Sequence, residues 1–300
     1  MTHIALYRKY RPDNFSEVAG QEKIISLLKT QIQQEKISHA YLFCGGRGTG
    51  KTTLARIFAK AVGSNEEDVI EIDGASNRGI DEIRELREAV RSAPFSSKYK
   101  VYIIDEAHML TKEAANALLK TLEEPGAHVI FILATTDPQK LPKTISSRCQ
   151  VISFQEPTVE NISERLIHIA KGEKIALSKD AADVIAIHGN GSYRDAISFL
   201  EQILVQSDKK VDTDFVKEYL GQVDFDIVRD MVIAICNKDI SKISKTINKA
   251  EKDGKEALRF YEGVISFFRN GLLVRAKEES LIENISKENK EEIIKCAGEF

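Results

Sequence analysis

Cysteine is scarce, net charge is almost nil and long apolar runs are missing from this chain, and each absence excludes something. Cys44, Cys149, Cys236 and Cys296 lie far apart. No C-x-x-C pair is there to nucleate a zinc site and no secretory context favours disulfides, so the four read as reduced structural thiols. Lys plus Arg total 43 against 46 Asp plus Glu, a formal net charge of −3. Global charge therefore does not draw the chain to nucleic acid or membrane, and any DNA contact must use a local patch. No apolar run approaches the roughly 18 to 20 residues of a spanning helix. Met1-Thr2-His3 lacks the charged-then-apolar layout of a signal peptide. The expected location is the cytoplasm, with no membrane partner. At 300 residues, without repeats or low-complexity segments, two or three domains are expected.

What is present begins with Gly45-Gly46-Arg47-Gly48-Thr49-Gly50-Lys51-Thr52, a complete G-x-x-x-x-G-K-[ST] loop directly after the apolar run Tyr41-Leu42-Phe43. Its glycines let backbone N–H groups turn inward around phosphates, Lys51 can reach the β/γ-phosphates, and the Thr52 hydroxyl can ligate Mg²⁺. Leu54, Ala55, Phe58, Ala61 and Val62 then share one helical face, so the loop leads from a strand into a helix N-terminus. Strand, loop and helix all fall where a nucleoside triphosphate site needs them. A second apolar strand, Val101-Tyr102-Ile103-Ile104, ends in Asp105-Glu106. An acid there can hold the Mg²⁺ shell and its neighbour can polarise the attacking water, which points to Mg-dependent ATP hydrolysis.

Strands are predicted at 41–43, 69–72, 100–104, 129–134 and 151–154, separated by helices at 52–62, 81–91 and 112–123, after a helix at 22–32. Such alternation argues for an α/β fold with a parallel sheet covered on both faces and ligands at the carboxyl ends of its strands. Past Pro157 the pattern becomes helical, at 159–171, 179–188, 193–205 and 213–220, and again at 227–236, 240–252 and 255–275. The expected domains are a nucleotide-binding domain at 1–156, a small helical lid at 157–222 and an all-helical collar at 223–300.

Ala134-Thr135-Thr136-Asp137 after the fourth strand and Ser146-Ser147-Arg148-Cys149 before the fifth, added to the loop and the acidic pair, resemble AAA+ ATPases of the clamp-loader clade. Longer strings narrow the match: Tyr7-Arg8-Lys9-Tyr10-Arg11-Pro12, Val18-Ala19-Gly20-Gln21, Asp73-Gly74-Ala75-Ser76, the run from Asn116 to Pro125, and Thr136-Asp137-Pro138-Gln139-Lys140-Leu141-Pro142. They resemble the gamma/tau subunit family of the bacterial DNA polymerase III clamp loader, closely over residues 4–222. The resemblance implies an ATP-hydrolysing motor that loads a sliding clamp onto primer-template DNA, working with delta, delta-prime and further gamma/tau copies. Two other readings stay open, a non-hydrolysing structural loader subunit and an ATPase like the small subunits of replication factor C.

The same resemblance implies roles residue by residue. Gly45, Gly46, Arg47, Gly48, Thr49, Gly50, Lys51, Thr52 and Thr53 would hold ATP, with Arg11 among the residues flanking the adenine. Thr52 and Asp105 would hold Mg²⁺ and Glu106 the water. Thr136 matches the first sensor, against the alternative of a hydroxyl capping a strand end. Arg194 matches the second sensor, against a surface pair with Asp195. Arg148 matches the arginine finger that enters a neighbouring subunit's site, a contribution of about 10³ to 10⁵ in rate in other NTPases; its alternative is an ion pair within its own chain. Arg84, Arg87 and Arg91 recur at helical spacing, with Arg78 before them, as DNA-contact candidates or as a solvated face containing Glu88. Two departures from the family stand out. The usual four-cysteine zinc module is replaced by the short bridge 62–68, so no zinc is expected, and the collar is expected to be incomplete at Phe300.

Overall fold

The structure is a computed structural model that describes residues 4–76, 86, 88–206, 210–219, 225–252, 257–282 and 287–299. It divides into two compact units, Met1–Ile169 with Gly189–Glu201, and Ala170–His188 with Gln202–Phe300.

The first unit is built on a five-stranded, all-parallel sheet. In chain order it contains α1 (Leu6–Lys9), α2 (Glu22–Gln33), β1 (Ala40–Cys44), α3 (Lys51–Ala61), β2 (Val69–Asp73), β3 (Lys100–Asp105), α4 (Lys112–Glu123), β4 (Val129–Thr135), α5 (Lys143–Ser146) and β5 (Gln150–Ser153). The strand order is β2-β3-β4-β1-β5, with Phe43 level with Ala134 and Ile103 with Ile132. β1 and β4 are buried along their whole length, which is why they read as unbroken apolar runs rather than as alternating ones. Side chains still alternate between faces. Tyr41, Phe43, Ile103 and Ile132 pack with Leu28 of α2 and Leu54 and Phe58 of α3. Leu42, Tyr102, Ile104 and Phe131 face the other way, against Leu118 and Leu122 of α4 with Leu86 and Val90. Phe58 is fully buried and meets the Tyr41 ring edge-on at 5.0 Å. Truncating it to Ala would cost about 3 to 5 kcal/mol and would loosen the helix that begins at the glycine-rich loop. The order β3-β4-β1 brings the carboxyl ends of three strands together, so the loop after β1, the acids at the end of β3 and the threonines at the end of β4 share one edge.

α6 (Val159–Gly172) and α8 (Tyr193–Gln206) each contribute residues to both units. The second unit also holds β6 (Ala176–Leu177), α7 (Lys179–His188), β7 (Lys210–Val211), α9 (Thr213–Tyr219), α10 (Phe225–Cys236), α11 (Ile240–Lys252), α12 (Ala257–Arg275) and α13 (Lys287–Cys296). Val228, Met231 and Val232 of α10 pack with Phe260, Val264 and Phe267 of α12 and with Ile293 of α13. Arg229 on α10 pairs with Asp226, Asp230 and Glu292, tying α13 to the same helix. The two-residue parallel pair β6–β7 has no counterpart in the sequence reading, since two residues cannot display a period of two. α5 is missed for the same reason, being a single turn. Among the described residues no helix is long and apolar enough to cross a membrane.

Candidate nucleotide site

The cleft at the carboxyl edge of the sheet starts with the loop. Gly48 has φ +71 and Gly50, the N-cap of α3, has φ +98, left-handed values that cost a residue with a Cβ. Lys51 is the first residue of α3, one position earlier than the sequence pattern places the helix start. Its side chain folds back into the loop, where Nζ donates to the carbonyls of Gly45 at 2.8 Å and Gly46 at 2.7 Å. Burial, with the residue 6% exposed, pushes the Lys51 pKa down, while Glu106 and Asp105 oppose that shift. A buried ammonium beside a helix N-terminus is a place for an anion.

On the next strand ends, the Thr52 hydroxyl donates to Asp105 Oδ2 at 2.7 Å, and Asp105 Oδ1 accepts the Glu106 N–H at 3.0 Å. The hydroxyl and carboxylate are hard oxygen donors side by side, the donor type that Mg²⁺ takes. Glu106 stands in the left-handed region at φ 45, ψ 44, a conformation worth about 1 to 3 kcal/mol of strain. Its Oε2 accepts the Thr136 hydroxyl at 3.2 Å and lies 3.4 Å from Nδ1 of His108.

The cleft measures about 970 Å³ including its open mouth. Its lining includes Tyr7, Tyr10, Pro12, Val18, Ala19 and Ile197, apolar surface for a slot suited to a base. Five cationic side chains line it, Arg11, Arg47, Lys51, Arg165 and Arg194, against the three carboxylates Glu17, Asp105 and Glu106. That excess suits a polyphosphate. Burial lowers the pKa of Arg11, with Arg56 adding to it, and burial likewise lowers that of Arg165. The Arg194 guanidinium sits 5.6 Å from the centre of the Tyr7 ring, a cation–π arrangement.

Residues far along the chain hold the slot. Arg165 donates to the Tyr10 carbonyl, the Tyr193 hydroxyl donates to Ala19 O at 3.2 Å, and Gln21 Nε2 donates to Gln155 O at 2.8 Å. The Tyr193 N–H donates to Gly48 O at 3.1 Å, so the start of α8 is bonded to the loop itself. Burial raises the Tyr193 pKa to about 12, keeping that hydroxyl protonated as a donor.

Of the residues singled out in the sequence, the structure gathers Arg11, Arg47 to Thr53, Asp105, Glu106 and Arg194 around this cleft, with Thr136 bonded to Glu106. Gly45 and Gly46 lie behind Lys51. Arg148 is not among the lining residues; its guanidinium is held by Glu123 Oε1 at 2.5 Å and the Thr144 carbonyl at 2.7 Å. Arg91 is exposed in a turn, while Arg78, Arg84 and Arg87 lie outside the described residues. Sequence reasoning missed His108 and Arg165. Each comes from an ordinary helix or turn pattern, and no local signal separates it from a surface or packing residue. Cys149, whose thiol burial pushes up to about 12, and Cys44, raised by burial, stay protonated at neutral pH.

Comparison with known proteins follows the same residues. A family model described as DNA polymerase III, delta subunit, matches residues 20–79 and 63–158, and one described as DNA polymerase III clamp loader subunit, ATPase lid domain, matches residues 161–209. The chain is 42% identical over 296 residues to DNA polymerase III subunit tau of Bacillus subtilis (strain 168), covering 92% of this chain and 53% of that one. It is 37% identical over 277 residues to DNA polymerase III subunit gamma of Buchnera aphidicola subsp. Acyrthosiphon pisum (strain APS), covering 85% of this chain and 77% of that one. The chain belongs to the DNA polymerase III gamma/tau family. It spans about half the length of the tau proteins it matches, 43% in the case of Escherichia coli (strain K12), where identity is 40%. Among solved structures, the RuvB Holliday junction branch migration motor of Thermotoga maritima superimposes with a TM-score of 0.59 at 22% identity, over 89% of this chain and 91% of that one. At that identity the likeness concerns the fold alone, an AAA+ α/β arrangement with a helical C-terminal part, as the sequence led us to expect.

Proposed function

We propose that this chain is the ATP-hydrolysing motor subunit of a bacterial sliding-clamp loader, acting in the cytoplasm with delta, delta-prime and further gamma/tau copies on the clamp and primer-template DNA. The observation that carries the reading is the juxtaposition of Thr52 with Asp105 at 2.7 Å, next to the buried Lys51 and the adjoining Glu106. A merely nucleotide-sensing subunit has no need of a water-polarising carboxylate held by the next strand, which speaks against the non-hydrolysing alternative.

In this reading the third Lys51 proton and the N–H groups at the start of α3 bind the phosphates, and Arg194 reaches them from α8. Mg²⁺, where Thr52 and Asp105 would hold it, supplies neutralisation of the phosphate oxygens. Glu106 orients the attacking water and takes up its proton as attack proceeds. Thr136 keeps that carboxylate aimed. Residues 157–222 act as the lid whose angle follows nucleotide state, and residues 223–300 as the collar. Arg148 serves the neighbouring subunit's site, its bonds to Glu123 and Thr144 being exchanged for phosphate on assembly. Arg91 is a candidate DNA contact.

The test separates binding from turnover. Lys51→Ala should abolish nucleotide binding or hydrolysis without unfolding the chain, whereas Glu106→Gln should bind ATP and fail to turn it over. Turnover equal to the parent in either variant would defeat the assignment.

A further inference from the structure

His108 has no part in the roles assigned above, yet its ring lies 3.4 Å from the Glu106 carboxylate, close enough to steer it. Its side chain is 10% exposed, in the short turn Ala107–Met109 that the Met109 N–H closes onto Glu106 O at 2.8 Å. Nδ1 lies 3.0 Å from Thr135 Oγ1 and 3.4 Å from Glu106 Oε2. Thr135 is fully buried at the end of β4, and its Oγ1 already accepts the Asp137 N–H at 3.0 Å.

The position of the ring proton follows from these neighbours. An unprotonated Nδ1 would hold its lone pair 3.4 Å from a carboxylate oxygen, an electrostatic repulsion. With the proton on Nδ1, the N–H is donated to Thr135 Oγ1 at 3.0 Å, and the positive edge of the ring lies 3.4 Å from Glu106 Oε2. Glu106 Oε2 then accepts the Thr136 hydroxyl and faces the positive edge of the His108 ring, an attraction from a second side. No donor among the described residues reaches Oε1, which is left to a water. The left-handed backbone of Glu106 delivers the carboxylate to these contacts, so strain is stored where a fixed orientation matters.

We propose that His108 is a positioning residue for Glu106: anchored on Thr135, it holds one carboxylate oxygen so that the other is presented to the attacking water. The proposal rests on the hydrolytic reading of the site. It concerns orientation alone, and His108 takes no part in binding phosphate.

The experiment measures equilibrium ATP binding, kcat, KM and melting temperature for the full chain, alone and assembled with its loader partners. The variants are His108→Ala, His108→Asn, Glu106→Gln and the double His108→Ala/Glu106→Gln. His108→Ala should lower kcat about 10- to 100-fold, the scale of losing a productive orientation, with ATP affinity within about twofold. His108→Asn, whose amide N–H falls near the position of Nδ1–H, should recover most of that loss. The double variant should be no slower than Glu106→Gln, because a residue acting through Glu106 has nothing left to position. Unchanged kcat in His108→Ala would overturn the proposal. So would a loss that appears equally in affinity and melting temperature, that Asn fails to relieve, or that adds fully to Glu106→Gln. A parent chain without ATP turnover even when assembled would instead defeat the hydrolytic reading, and this proposal with it.

Discussion

Gly48→Ala probes how the loop is fastened to α8. A Cβ at Gly48 would meet Ser192 Oγ at 2.0 Å, Ser192 Cβ at 3.0 Å and Arg194 Cβ at 3.4 Å. Ser192 cannot yield freely, because its Oγ accepts the Asp195 N–H at 3.2 Å at the start of α8. Two costs therefore add. The left-handed φ of +71 costs alanine about 1 to 2 kcal/mol. Displacing the Ser192 hydroxyl forfeits a helix cap worth about 1 kcal/mol, so the variant should lose about 2 to 3 kcal/mol in all. The pair can be separated by a cycle. In a Ser192→Gly background the new methyl has room, the cap is already gone, and only the dihedral cost should remain, a coupling of about 1 kcal/mol. Urea denaturation of the four proteins measures the stabilities, and nucleotide titration should find weaker binding in Gly48→Ala, because the Tyr193 N–H to Gly48 O bond is pushed apart. A Gly48→Ala protein within about 0.5 kcal/mol of the parent, or one whose loss is the same with Ser192→Gly, would refute the reasoning.

Other outcomes follow from single residues. Arg148→Ala should leave nucleotide affinity of the lone chain nearly unchanged and cost it less than about 1 kcal/mol, since the Glu123 pair it breaks is partly exposed; it should slow hydrolysis in the assembled loader by about 10³ or more, and mixing it with Lys51→Ala chains should restore turnover only where an intact loop meets an intact finger. Loss of ATP binding by the lone variant would place Arg148 in its own chain's chemistry. The purified protein should carry no stoichiometric zinc, as no cysteine cluster interrupts 62–68, and elemental analysis finding one zinc per chain would overturn that. Asp68 is buried and accepts the N–H groups of Phe95, Ser96 and Ser97 at 2.7, 3.1 and 3.0 Å. Desolvation works to raise its pKa, but these bonds prevail and hold the carboxyl below its ordinary 3.8. Its stabilisation is thus complete above that value and is lost as pH falls through the lower folded pKa; Asp68→Asn should be less stable at pH 7 and flatter in the acid limb, and identical melting curves would contradict this.

How much could be read in advance depends on how local the physics is. A phosphate cradle requires a continuous turn of backbone between strand and helix, so residues 45–52 declare themselves in eight letters. Asp105-Glu106 does so because a buried strand ending in two acids has few other reasons to exist. The unbroken apolar runs of β1 and β4 likewise announce central parallel strands, and the helices between them follow from period alone. His108, Arg165 and the apolar slot are of another kind. Their meaning lies in bonds such as Arg165 to Tyr10 and Tyr193 to Ala19, which join residues more than 150 positions apart. No periodicity records such a bond, because the residue types involved serve equally well on any surface. The chain by itself determined that a nucleotide cradle and an acidic strand end exist and that helices flank a parallel sheet. Only the sheet order β3-β4-β1 decided that the cradle, the acids and Thr135-Thr136 meet at one edge. Strand order is set by the packing of whole faces, Tyr41 and Phe43 on α2 and α3 and Tyr102 and Phe131 on α4, and so lies beyond any window of sequence.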